Sequence, residues 1–114
     1  MGCDTVVVLD REQLRDITLD DEALMREVVA ALIDDTTRQM VLLQAAIEEQ
    51  DGSKCARLAH YSKGACANLG AQAAAALLKQ IENQAGNRRF SECQTALAQL
   101  TTEVDRLRNE AVSL

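Results

Sequence analysis

Proline and tryptophan are absent from the 114 residues, and the aromatic side chains stop at Tyr61 and Phe90. With no proline to break helices and so few rings, the expected fold is all-α, with a core of Leu, Val, Ile and Ala. Long apolar runs are missing as well: none approaches the roughly 18 residues that a membrane span requires. Residues 1–21 lack the basic start and long apolar middle of a secretory signal. The opening Met1-Gly2-Cys3 would suit N-myristoylation only with Ser or Thr at position 6, where Val6 stands. Positive charge is scarce too. A net charge of −6 disfavours nucleic acid, whose protein partners carry a basic patch. Histidine occurs once, at His60, and Cys3, Cys55, Cys66 and Cys93 include no Cys-x-x-Cys pair, so no zinc site is expected. Cys55, Cys66 and Cys93 fall on packing faces, which makes them small buried hydrophobes and points to a reducing compartment, the cytoplasm.

What is present describes one soluble domain over residues 1–114: 47% hydrophobic residues, enough for a single helical core, and 26% charged ones. Asp4 to Leu9 is an apolar lead-in with no second strand to pair with, so residues 1–9 should pack as an arm. A short helix from Asp10 to Asp16 follows, with Leu14 and Ile17 turned inward. Thr18 or Asp20 is placed to cap the next helix, with Asp21 and Glu22 in its first turn. Residues 20–50 read as helical, with one apolar row at Leu24, Val28, Ala31 and Leu32 and another at Thr36, Met40, Leu43 and Ile47. The polar Asp34-Asp35-Thr36-Thr37 between the rows predicts a bend or two abutting helices. Asp51-Gly52-Ser53 is a stop-and-restart signal, with Gly ending one helix and Asp or Ser capping the next.

A helix should then run to about Asn68, with Gly70 at the turn. Another follows from Ala71 to Gln84, with Ala74, Leu77, Leu78 and Ile81 facing in. Gly86-Asn87 is the next stop. The last helix, from Arg89 to about Val112, carries Phe90, Cys93, Leu97, Leu100, Val104, Leu107 and Ala111 at alternating steps of three and four. Short connections force neighbouring helices antiparallel. The prediction is an up-down-up-down four-helix bundle over about residues 34–114, preceded by short helical segments. Its heptads are used internally, so the chain is expected to be a monomer.

The stretch that scaffold presents is Cys55 to Ala71, CARLAHYSKGACANLGA. On a helix, Cys55, Leu58, Ala59, Ser62, Ala65, Cys66 and Leu69 cluster on one face, and His60 lies roughly 160° from its centre, facing water. Its surface neighbours are Ala56, Arg57, Lys63, Gly64 and Ala67. Gly64 costs a helix interior roughly 1 kcal/mol relative to Ala. The benefit proposed for that cost is access: with no side chain at 64, another protein's active site can close over the ring.

An exposed imidazole can bind metal, act as a general base or accept a phosphoryl group. Metal binding wants a second ligand one turn away, where Ala56 and Gly64 offer none. Base catalysis wants a pocket and an orienting carboxylate, and none lies within one turn on the same helix. No glycine-rich phosphate loop is present, so no ATP site is expected. Phosphoryl carriage needs only a neutral, open ring and neutralisation of the incoming oxygens, for which Lys63 and, on the other flank, Arg57 are placed.

His60, Lys63, Gly64 and Gly70 also resemble the active-site segment of histidine-containing phosphotransfer domains: a His, a Lys three later, a Gly four later and a second Gly closing the helix. The resemblance runs from about Leu9 onward, although outside 58–71 it is only pattern and loop placement. It implies a helical bundle in which His60 accepts a phosphoryl group from a receiver domain's aspartyl phosphate and passes it to another receiver. On this reading the chain is a phosphocarrier without kinase activity of its own, working with receiver domains or a hybrid sensor histidine kinase. It binds no cofactor, Mg²⁺ being supplied in the receiver. Ala56, Arg57, Tyr61, Ala67 and Gln72 are the expected docking residues around His60, Lys63 and Gly64. The start at Met1 favours a free-standing protein. Two alternatives stand beside this one: a helical adaptor that carries no phosphate, and a bundle whose histidine is incidental.

Overall fold

The computed structural model describes residues 7–114, so Cys3, the Gly2 and Val6 positions and most of the expected arm lie outside the described residues. Five helices make up the fold, with no strand among the described residues: α1 (Arg11–Ile17), α2 (Glu22–Glu48), α3 (Gly52–Asn68), α4 (Gln72–Gly86) and α5 (Phe90–Val112). Helices α2 to α5 form the expected four-helix bundle, in which α2 packs on α3 and α5, and α4 on α3 and α5.

The starts of the first three helices follow one rule. Asp10, Asp21 and Asp51 sit at the N-caps of α1, α2 and α3, each accepting a hydrogen bond from the backbone N–H three residues on. For α2 this replaces the expected cap at Thr18 or Asp20. Thr18 instead turns inward, 3% exposed, and its hydroxyl donates to the Leu14 carbonyl at 2.7 Å. Thr18 thereby takes the place expected of Ile17, which is 49% exposed. Leu19 and Asp20, with φ of 53° and 64°, reverse the chain before α2 begins.

No bend occurs at residues 34–37: α2 is continuous over 27 residues, and the bundle begins at Glu22 rather than near 34. The buried stripe includes Met25, Val29, Leu32, Thr36, Leu43 and Ile47, with Met40 packed beside it, in steps of four and three that run through the helix without a break. Of the row expected at Leu24, Val28, Ala31 and Leu32, Leu32 is buried and Val28 packs half-buried against the core, whereas Leu24, 38% exposed, and Ala31 face solvent. The polar residues are accommodated within the helix. Thr36 is buried with its hydroxyl 3.8 Å from the Cys66 sulfur, Thr37 Oγ1 donates to the Ile33 carbonyl, and Asp35 pairs with Arg38. Burial of one face outweighs the modest propensity of these four residues.

Gly52 does not end α2. Gln50, with φ of 55°, makes that turn, and Gly52 is the first residue of α3, buried where a Cβ would lie 2.7 Å from the Ala85 carbonyl oxygen. Gly52→Ala should therefore force backbone apart and destabilise the fold by about 1–3 kcal/mol. Urea denaturation measures this, and an unchanged midpoint would refute the close contact.

At the opposite end, Gly70 has φ of +87°, and its carbonyl accepts from the Asp10 N–H at 2.8 Å. The Val7 carbonyl accepts from the Ala73 N–H, and Leu9 is 4% exposed, so residues 7–9 pack over the α3–α4 turn. Arg11 ties α1 to Glu110 of α5 at 2.8 Å. Leu14, Leu43, Leu78, Ile81 and Leu100 fill the core, together with Cys55, Cys66 and Cys93, which are free thiols buried as expected. Burial, and next the neighbouring Cys93, pushes the Cys55 thiol up to about 12, and burial raises Cys66 and Cys93 as well. These are packing groups, not nucleophiles. Among the described residues no helix is long and apolar enough to cross a membrane.

Candidate functional site

Cys55, Ala59, Ser62 and Cys66 bury one face of α3, and this fixes the opposite ridge toward solvent. His60 stands on that ridge with its side chain 68% exposed. At Gly64, one turn on, a Cβ would meet nothing within 4 Å, so the space beside the imidazole is open.

The main addition comes from the next helix. Because α3 and α4 run antiparallel about Gly70 and Ala71, Glu82 arrives opposite His60 and Lys63. One of its carboxylate oxygens lies 2.9 Å from His60 Nδ1, and the other accepts from Lys63 Nζ at 2.9 Å. The Lys63 hydrogen bond first, and then the one with His60, holds the Glu82 carboxyl below the usual glutamate range against a partial burial that opposes it. A folded value below the unfolded one means that this pairing contributes stability at neutral pH, lost only as the pH falls through the lowered value. An ionised carboxylate accepts and cannot donate, so the shared proton belongs to His60 Nδ1. In the neutral ring the lone pair is then on Nε2, the outward nitrogen.

Sequence reasoning missed Glu82, since it sought an orienting carboxylate only within one turn of α3. A usable signal existed: Glu82 is the only acidic residue from Gly52 to Gly86, and counting outward from the Gly70 turn places it across from His60.

Four of the five expected docking residues divide between two grooves flanking the His60 ridge, and Ala56 lines neither. Arg57 and Tyr61 line one of about 390 Å³ between α2 and α3, with Gln39, Leu42 and Lys54. Ala67 and Gln72 line the other, of about 400 Å³ between α3 and α4, with Gln13, Lys63 and Lys79. Tyr61 is 56% exposed and Leu42 44%, an apolar patch beside the histidine. Ala56 is half-buried, and Arg57 is exposed and donates to Ser53 Oγ at 3.1 Å. Gln72 is less free than expected, since its amide donates to Asp10 Oδ2 at 3.1 Å. Gly70, expected only at the turn, lies there with φ of +87°. Among the described residues no three His, Cys, Asp or Glu side chains come together as a metal site.

The Hpt domain family matches residues 27–110. Two solved structures share the fold. Histidine-containing phosphotransfer protein B from Pseudomonas aeruginosa is 22% identical, with a TM-score of 0.85 over 93% of this chain and 92% of that one. A rice protein assigned as a histidine-containing phosphotransfer protein is 24% identical, with a TM-score of 0.80 over 91% of this chain and 78% of that one. No curated protein matches the sequence. With the match spanning most of the chain and all four bundle helices in place, this protein belongs to the Hpt domain family, the phosphorelay intermediates of two-component signalling.

Proposed function

We propose that His60 Nε2 is the phosphoryl acceptor of this relay protein, with Glu82 and Lys63 as its supporting groups. The observation that carries the reading is the Glu82 bridge, which commits Nδ1 and leaves Nε2 nucleophilic beside the space at Gly64. In the forward step Nε2 forms an N–P bond as the bond between phosphorus and the receiver's acyl oxygen breaks, and the electron pair leaves on that receiver carboxylate. The ring gains positive charge while keeping its Nδ1 proton, and Glu82 stabilises that charge as it develops. Lys63, one turn from His60, exchanges its contact with Glu82 for the phosphoryl oxygens. Transfer onward is the reverse with a second receiver, and the Mg²⁺ that the acyl phosphate needs resides in the receiver.

On this reading the partners are receiver domains or a hybrid sensor histidine kinase, and the chain acts as a monomeric carrier with no kinase activity. Free buried thiols support a reducing, cytoplasmic setting. An adaptor that carried no phosphate would have no use for a carboxylate orienting an exposed histidine.

Glu82→Ala removes the tautomer control without touching the core. It is expected to slow phosphoryl acceptance by about tenfold or more, with Glu82→Gln in between. Single-turnover transfer gives the rates, and ¹⁵N NMR of the ring reads the tautomer. A wild-type rate in Glu82→Ala, with the Nδ1 proton still in place, would remove Glu82 from the mechanism.

A further inference from the structure

The charge on this protein is unevenly placed. Residues 52–81 contain Lys54, Arg57, Lys63 and Lys79, including every lysine in the chain, and none of its eighteen carboxylates. Folding puts these cations on both sides of His60: Lys54 and Arg57 in the α2–α3 groove, Lys63 and Lys79 in the α3–α4 groove. The groove walls add only neutral groups, among them Gln39, Leu42, Gln13 and Gln72. Elsewhere five of the eight arginines, Arg11, Arg38, Arg89, Arg106 and Arg108, are paired with carboxylates. Arg15, Arg26 and Arg88, unpaired among the described residues, are scattered through segments that also carry carboxylates. Among the described residues no carboxylate lies within ion-pair range of Lys54, Arg57 or Lys79. Glu82 is the exception in this region, and it is occupied by His60 and Lys63.

From this asymmetry, and resting on the phosphocarrier reading above, we propose that the two grooves flanking His60 form a cationic docking face for an acidic surface surrounding the donor's phosphoaspartate. Unpaired charge on a surface adds little to the stability of its own fold. It does attract a partner of opposite sign before contact, raising encounter rates by factors of ten to a thousand at low salt. The acidic remainder of the molecule repels the same partner, so an approaching acidic receiver is turned toward His60. The donated group is itself anionic, which aligns the field that guides the partner with the field that accepts the phosphoryl. Leu42 and Tyr61 then supply apolar contact once the surfaces meet.

The test separates docking from chemistry. Phosphoramidate, a small donor that needs no docking face, labels His60 directly, while a phosphorylated receiver domain must first bind. Transfer from such a receiver to the wild-type protein should slow by about tenfold between 50 and 500 mM NaCl, as screening shortens the range of the field. Lys54→Glu combined with Lys79→Glu, one change in each groove, should slow receiver transfer about tenfold at low salt and flatten its salt dependence. Labelling by phosphoramidate should stay unchanged. Arg26→Glu with Arg108→Glu makes the same net-charge change away from the grooves and should leave the rate within about twofold. Receiver transfer that ignores both salt and the groove reversals overturns the docking face and leaves the carrier reading intact. Phosphoramidate labelling with no transfer from any receiver overturns the relay reading, and the docking face with it.

Discussion

His60→Gln is expected to fold as the wild type does and to accept no phosphoryl group. The side chain is 68% exposed, so its replacement removes no core contact, and a surface change of this kind shifts stability by no more than about 0.5 kcal/mol. The glutamine amide can still donate toward Glu82, and Lys63 remains to neutralise that carboxylate. What is lost is the nucleophile. The readout is label transferred from a phosphorylated receiver, followed by treatment with acid and with base, since an N–P bond is acid-labile and base-stable. The wild type should carry acid-labile label and His60→Gln none. Acid-labile label on the variant would place the acceptor elsewhere and dismantle the site as described. The thermal melt of the variant supplies the control, because absence of label from an unfolded protein would say nothing of chemistry.

Much of the bundle was legible because its boundaries are chemical. Gly70 and Gly86 stand at or beside the turns predicted for them, and the alternating steps from Cys93 to Leu107 are buried throughout α5. The errors have a common source in choices that only tertiary packing makes. In α2 the expected row of Leu24, Val28, Ala31 and Leu32 keeps only Leu32 fully in the core, because the stripe that continues through Thr36 to Leu43 runs from Met25 and Val29. Thr36 counts in the sequence both in the polar break and at the head of an inward row, and packing against Cys66 realises the second. Gly52 reads as a terminator by composition, yet its reason is the Ala85 carbonyl on a helix more than thirty residues later.

The site divides along the same line. His60, Lys63 and Gly64 lie within about one turn of one helix, so spacing alone places them side by side on the outer ridge. Glu82 acts across a helix pair, and its role depends on the register of α3 against α4. That register is set by the length of the Gly70 turn and by the burial of Ala74, Leu78 and Ile81 on the inner side of α4. A residue that orients a nucleophile from a neighbouring element leaves no local pattern. It becomes visible only when the hairpin is folded on paper and the charges opposite the histidine are counted.

Gly64 offers the sharper test of why the surface around His60 is stripped of bulk. A Cβ at this position meets nothing within 4 Å, so Gly64→Ala lowers the entropy lost on folding without introducing a clash. The variant should be more stable by about 0.5–1 kcal/mol, the reverse of what Gly52→Ala does at the start of the same helix. The wild-type chain therefore forgoes available stability one turn from its histidine. Gly64→Leu places a branched side chain that leans back along the helix toward His60, into the space a receiver must occupy. Transfer from a phosphorylated receiver should fall by about a hundredfold, the scale of a reacting pair held an ångström or more out of line. Phosphoramidate labelling should suffer much less. Single-turnover kinetics with both donors, beside urea denaturation of the three glycine variants, gives all the quantities needed. If Gly64→Leu exchanges phosphoryl with a receiver as fast as the wild type, open access is not the reason for the glycine. If it fails only with the receiver, the missing side chain is a condition for docking, selected against the stability of the helix that carries it.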